Sequence, residues 1–205
     1  MKKLLVLAVA VLMAATSMKT QAQSENYMHL SAGYVITPFN TNFDNDDLLD
    51  SPMGLGASFL YGIMLNETGE SLEVGLNANY TTSKETYASE KDVFNFVTMS
   101  IPINFASQMR INQDWTFQPY VGFYARLNLV AKVKHENDRD HSETYNLFDD
   151  EDWRRFQIGA NTGFRFKYKN LSFGYLYQHD LMKIVKENGN KARVGTHSIN
   201  FGVFL

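Results

Sequence analysis

From Tyr27 onward the chain alternates between apolar and polar residues. Met28, Leu30, Ala32, Tyr34 and Ile36 share one face of an extended segment, and His29, Ser31 and Gly33 share the other. The pattern is cleanest over Ser71–Thr81, where Leu72, Val74, Leu76, Ala78 and Tyr80 oppose Glu73, Gly75, Asn77, Asn79 and Thr81. A period of two is the mark of a strand with two different environments. The same alternation predicts strands over Met53–Leu65, from about Val93 to Phe105, Trp115 to Val133, Trp153 to Tyr168, Leu171 to Leu181, and Val194 to the end. Pro102 inside the fourth removes a ladder donor, which predicts a bulge or a locally broken ladder.

The polar face is also where the glycines fall: Gly33, Gly54, Gly56, Gly62, Gly75, Gly122, Gly159, Gly163, Gly174 and Gly202. Glycine weakens a strand and marks close approach by something else. A solvated face has no use for that, whereas a crowded lumen does. The expectation is therefore all-β: an eight-stranded antiparallel up-and-down transmembrane β-barrel, apolar outside and polar inside. The links alternate in length. Thr37–Pro52, Ser83–Asp92, Lys134–Asp152 and Met182–Arg193 are long and polar, while "NETGE", "ASQMRINQD" and "KN" are short. Outer-membrane barrels have short periplasmic turns and long extracellular loops, so both termini are expected in the periplasm. A lipocalin-like soluble barrel also has eight strands but turns its apolar face inward. It would leave Gly54, Gly56, Gly62, Gly159 and Gly163 in water, and the aromatic residues at many strand ends unexplained.

The N-terminal residues read as a secretory leader. Lys2 and Lys3 precede an apolar run from Leu4 to Ala15 and a small, polar segment to Ala22. The run is too short for a spanning helix. The expected division is a signal peptide at 1–22 and one barrel domain at 23–205. Losing Lys2, Lys3 and Lys19 leaves 16 basic against 22 acidic residues, a net charge of −6, which disfavours nucleic acid as a partner. There is no cysteine, hence no disulfide, thiolate metal site or lipid-acceptor Cys.

Several stretches in the second half resemble the outer-membrane β-barrel family that includes the PorT-like proteins: "FVTMSIPINFASQMRI", "FQPYVGFYARLNL", "FQIGANTGFRFKYKNLSFGYLYQHDLMKI" and the closing "HSINFGVFL". The resemblance implies an eight-stranded barrel in the outer membrane of a Gram-negative bacterium and no single activity; some such proteins belong to a secretion machine. Barrel proteins commonly close on an alternating strand with a terminal aromatic, read by the insertion machinery. Here Phe201, Val203 and Leu205 alternate, and Phe204 is penultimate.

Candidate chemistry is sparse. Glu73, Arg126, Arg155, Arg165 and Lys167 fall on the polar face, where they are expected to form a structural ion-pair network filling the lumen. An arginine-lined ion or solute path is the alternative. His197 and Ser198 are adjacent, so they face opposite ways and form no dyad; His29 and Ser31 share a face, with no evident acid to orient the histidine. Acidic runs mark the long links, with Asp44, Asp46 and Asp47, then Asp138 and Asp140, then Asp149 to Asp152. They suit solvated loops or divalent-cation bridges to lipopolysaccharide phosphates, which Lys134, Arg139 and Arg154 could also contact directly. No catalytic, cofactor or metal set is expected. The reading is an outer-membrane structural or interaction module. Its expected partners are envelope lipid and lipopolysaccharide, the barrel-insertion machinery and an envelope protein. A narrow channel, a lipid- or peptide-modifying enzyme and a secretion-assembly subunit are the alternatives.

Overall fold

A computed structural model describes residues 26–41, 51–87, 90–137, 141–148, 153–184 and 192–205. The proposed leader and the acidic runs at Asp44–Asp47, Asp138–Asp140 and Asp149–Asp152 lie outside them. Eight strands form the wall: β1 (Tyr27–Ile36), β2 (Met53–Met64), β3 (Glu70–Tyr87), β4 (Glu90–Ser107), β5 (Trp115–Asn137), β6 (Phe156–Tyr168), β7 (Leu171–Asp180) and β8 (Ala192–Phe204). Each pairs antiparallel with its sequence neighbours, and β1 pairs with both β2 and β8, which closes the sheet and leaves no edge.

The alternation resolves into an inverted barrel. Leu55 (69 % exposed), Phe123 (65 %) and Phe201 (60 %) project outward, whereas Glu73, Gln157 and Asp180 are wholly enclosed. Backbone groups within a bilayer have no water to bond, and closure satisfies them through the ladder. The tight turns at one end are locally specified. Gly69 takes φ 100°, a conformation glycine adopts readily. Asn112 Oδ1 accepts from the backbone N–H groups of Asp114 (3.0 Å) and Trp115 (2.9 Å), an Asx turn. Lys169 and Asn170 join β6 to β7.

Three details depart from the alternation or refine it. Around Pro102 the β3–β4 ladder passes from Val74–Ile103 to Asn77–Ser100 without the two intervening pairs, while its register is kept. The ladder is interrupted there, as expected where an N–H is missing. Between β4 and β5 the register shifts by one, since Val97 pairs with Val130 and Thr98 with Asn128. Leu129 is the extra residue of a bulge. The link expected at Ser83–Asp92 is mostly strand, because Ser83–Phe94, Lys84–Val93 and Glu85–Asp92 continue the ladder. Likewise His141–Asn146 pairs back onto β5, so the wall stands tallest at β3–β5.

Candidate functional site

The lumen holds two polar layers. The layer near the short turns centres on Glu73 of β3. Arg165 of β6 grips it with two hydrogen bonds, Nη1 to Oε1 and Nη2 to Oε2, both 2.6 Å. Tyr27 of β1 donates its hydroxyl to Oε1 at 2.7 Å, and Asn104 of β4 donates to Oε2 at 3.3 Å. Gln118 of β5 donates to the Tyr27 oxygen (2.8 Å) and accepts from Arg165 Nη1 (3.0 Å). The guanidinium also lies 4.4 Å from the centre of the Tyr120 ring. Five of the eight strands thus meet on one carboxylate. A buried ion pair holds only when its remaining donors and acceptors are also satisfied, and this one meets that condition.

The layer near the long loops centres on Arg126 of β5. Its Nη1 donates to Asp180 Oδ2 of β7 at 3.2 Å, and its Nη2 donates to Gln178 Oε1 (3.2 Å) and Thr196 Oγ1 (3.0 Å). Tyr124 donates its hydroxyl to the other Asp180 oxygen. Among the described residues, these partners come from β5, β7 and β8. Arg126 Nε, Gln178 Nε2, both amide atoms of Gln157 and Ser100 Oγ are buried without a protein partner. Ser100, Arg126 and Gln157 are successive partners across β4, β5 and β6, so these atoms form one belt.

Two glycines make room for the tyrosines. A Cβ at Gly62 would overlap the Tyr27 ring, and one at Gly159 the Tyr124 ring. Each tyrosine therefore crosses the lumen over a bare backbone to reach its carboxylate. Between the layers lies a cavity of ≈ 40 Å³ lined by His29, Asn77, Pro102, Asn161 and Gln178. At ~10–15 Å³ for each water centre it holds about three waters. Beyond the second layer a ≈ 30 Å³ cavity sits under Phe96, Phe148, Trp153 and Ile184.

Comparison with known proteins identifies what carries this lumen. The model of the family described as "Outer membrane protein beta-barrel domain" matches residues 5–204. The chain belongs to that family. Among solved structures, Ail, the attachment invasion locus protein of Yersinia pestis, solved in complex with the heparin analogue sucrose octasulfate, is similar at 15% identity and a TM-score of 0.52, covering 88% of this chain and 99% of Ail. The outer membrane enzyme PagL is similar at 12% identity and a TM-score of 0.50, covering 85% of this chain and 98% of PagL. These likenesses show the shared fold. No curated protein matches the chain.

In this outer-membrane β-barrel protein, Glu73, Arg126 and Arg165 lie in the layers described. Lys167 is half-buried at the turn end, with Nζ 4.5 Å from the centre of the Phe204 ring. Arg155 is a correction. It is exposed and precedes β6, with its guanidinium 4.6 Å from the centre of the Phe148 ring rather than in the lumen. The cause is that the strand expected from Trp153 starts only at Phe156. Before it, the Arg155 carbonyl still accepts from Asn128 N–H (2.7 Å), the next rung of the β5–β6 register, and Arg154 N–H donates to the Ile184 carbonyl (2.8 Å).

The sequence reading missed Asp180, the carboxylate that answers Arg126. Its signal was available, since Ser172, Gly174, Leu176, Gln178 and Asp180 are the inward positions of β7. Nor do the histidines form the pairs considered. His29 bonds Ser172 rather than Ser31, through Nε2 at 2.8 Å. Its Nδ1 is buried without a protein partner, so no third group orients it. Ser198 faces the lumen and His197 the wall exterior.

Proposed function

We propose that this protein is a closed, non-conducting barrel: an anchor and interaction module whose lumen is a structural ion-pair plug. The observation that carries the reading is the pair of layers, Glu73–Arg165 and Arg126–Asp180, stacked across a lumen with room for only a few waters between them. Eight-stranded barrels are just wide enough to be filled by side chains, and open channels belong to larger ones. In this reading residues 1–22 are a leader removed on export, and both termini face the periplasm. The long acidic loops face outward, toward lipopolysaccharide, divalent cations or an envelope partner. The closing strand, with Phe201, Val203 and Leu205, addresses the insertion machinery. The kinship is PorT-like, which keeps a secretion-assembly role as the second interaction reading.

An enzymatic reading draws on the fold likeness to the enzyme PagL. It is the weaker, because the His–Ser contact found among the described residues, His29–Ser172, is enclosed, lacks an orienting acid there and adjoins the small central cavity. Planar-bilayer recording of the purified barrel tests the proposal. The expected trace is indistinguishable from protein-free membrane; steady unitary currents would make it a channel.

A further inference from the structure

The wall is tallest at β3–β5, and the part that rises past β2 has two unlike faces. β2 stops pairing with β3 at Thr82, while β3, β4 and β5 continue, with His141–Asn146 paired onto β5, as a blade of four strands. Strand parity carries the lumen side and the lipid side of the barrel up into this blade. The lumen side holds acids: Glu85 is half-buried there, and Asp92 bonds His135, Oδ1 to Nδ1, at 2.6 Å. The lipid side holds cations. Lys84, Lys132 and Lys134 are exposed on it, and Lys91 is half-buried. Among the described side chains that side carries no acid; Glu136 enters as the register partner of Lys91 in the outermost of these rows.

The four lysines stand close together. In the ladder Val93 lies between Lys84 and Lys134, Lys91 is the next residue of its own strand on that side, and Lys132 stands on the diagonal. Cross-strand neighbours are ~5 Å apart and diagonal or same-strand neighbours ~7–8 Å, so the four stems start within ~8 Å of one valine. Their height is fixed by the rows below. Tyr80, Val97 and Val130 form the last apolar row of the outer wall, and the Tyr80 hydroxyl donates to Asn95 Oδ1 at 2.9 Å in the row above. A tyrosine with an apolar body and a bonded hydroxyl suits the edge of a hydrocarbon band. Successive outward rows on a tilted strand rise by ~5 Å. Lys132 therefore stands ~5 Å above that edge, and Lys84 and Lys134 ~10 Å, which is the depth of lipid headgroups. Lys91 is one row higher, on a stem long enough to reach down.

A hairpin wetted alike on both sides has no physical reason to sort its charges by face, and the chain as a whole is net acidic, at −3. We infer that the outward face of the blade, with Lys84, Lys91, Lys132 and Lys134 around Val93, is a docking surface for the phosphates of an anionic lipid in the adjoining leaflet. Lys84 and Lys134 are two strand spacings apart, ~10 Å, which suits a headgroup carrying more than one phosphate. Charge complementarity and height select a lipid over a second copy of the chain, whose equivalent face repels this one. The surface stands on the outer wall and does not depend on a closed lumen. Naming the lipid A type rests on the orientation proposed above.

Native mass spectrometry of the full barrel from detergent, with bisphosphorylated lipid A against its dephosphorylated form, is the test. A lysine beside an anionic surface is worth about fivefold in affinity, so two engaged together give about a twentyfold preference for the phosphorylated lipid. K84Q/K91Q/K132Q/K134Q should abolish that preference, and V93E should weaken it by setting a carboxylate among the ammonium groups. K84R/K91R/K132R/K134R should keep it. The boiled-against-unboiled gel shift should be unchanged in all three. Equal retention of the two lipids by the native barrel, or an undiminished preference in the glutamine variant, overturns the surface. Displacement of lipid A by inorganic phosphate at similar concentration overturns its assignment to a lipid, and tighter binding of dextran sulfate assigns the face to a soluble polyanion instead. Detergent removes orientation from the measurement, so failure here leaves the loop-outward reading to be judged by surface proteolysis.

Discussion

Glu73 and Asp180 are both fully enclosed carboxylates that face an arginine and a tyrosine, yet their surroundings differ. Glu73 receives two short bonds from Arg165 and further bonds from Tyr27 and Asn104, drawn from across the barrel. Asp180 receives one longer bond from Arg126 and the Tyr124 hydroxyl, in a layer whose described partners come from β5, β7 and β8. Around Glu73 the principal side chains are satisfied within the protein, whereas around Asp180 a belt from Ser100 to Gln157 is buried without protein partners. Similar residue types thus make a fully bonded plug at the turn end and a less fully bonded one under the loops. The difference follows from geometry: the turn-end strands are pinned by tight connections, so side chains can span the lumen at fixed separation.

The largest expected effect is Arg165→Met. It strands Glu73 without its bidentate partner, and breaking a buried pair from one side costs about 3–5 kcal/mol. Arg126→Met removes a single longer bond from Asp180 and is expected to cost less, about 1–3 kcal/mol. Urea titration in detergent micelles, read by unboiled gel mobility, compares the two; an equal or reversed order breaks the contrast. Gln118→Leu should cost about 1–3 kcal/mol, because it removes one bond each from the Tyr27 oxygen and Arg165 Nη1, which keep their bonds to Glu73. Gln157→Leu sharpens the comparison from the other side. Its amide bonds no protein group, so its replacement should be within about 0.5 kcal/mol of neutral or stabilising. A loss like that of Gln118→Leu would show that the belt is as tightly bonded as the Glu73 layer.

The wall of this barrel was legible in the sequence because a strand facing lipid on one side and a lumen on the other must alternate at every step. Strand positions and turns follow from that and from glycine and asparagine chemistry. The same rule assigned Glu73, Arg126 and Arg165 to the lumen side. It failed at Arg155, which still bonds Asn128 in register but precedes the first strand residue, with its side chain exposed against Phe148. Parity also says which residues share the interior but not at what height they meet. The pairing of Arg126 with Asp180, 54 positions apart, depends on strand stagger, and the sequence carries no local mark of it.

The closed lumen is tested most directly at Asn77, which is buried and lines the cavity between the two layers. The chain has no native cysteine, so Asn77→Cys places a single thiol there. A charged, membrane-impermeant thiol reagent applied to the folded barrel in vesicles should leave it unlabelled, while the urea-unfolded protein labels fully. Rapid labelling of the folded barrel would mean that solute reaches the space between the layers, and the plug described here would not exist.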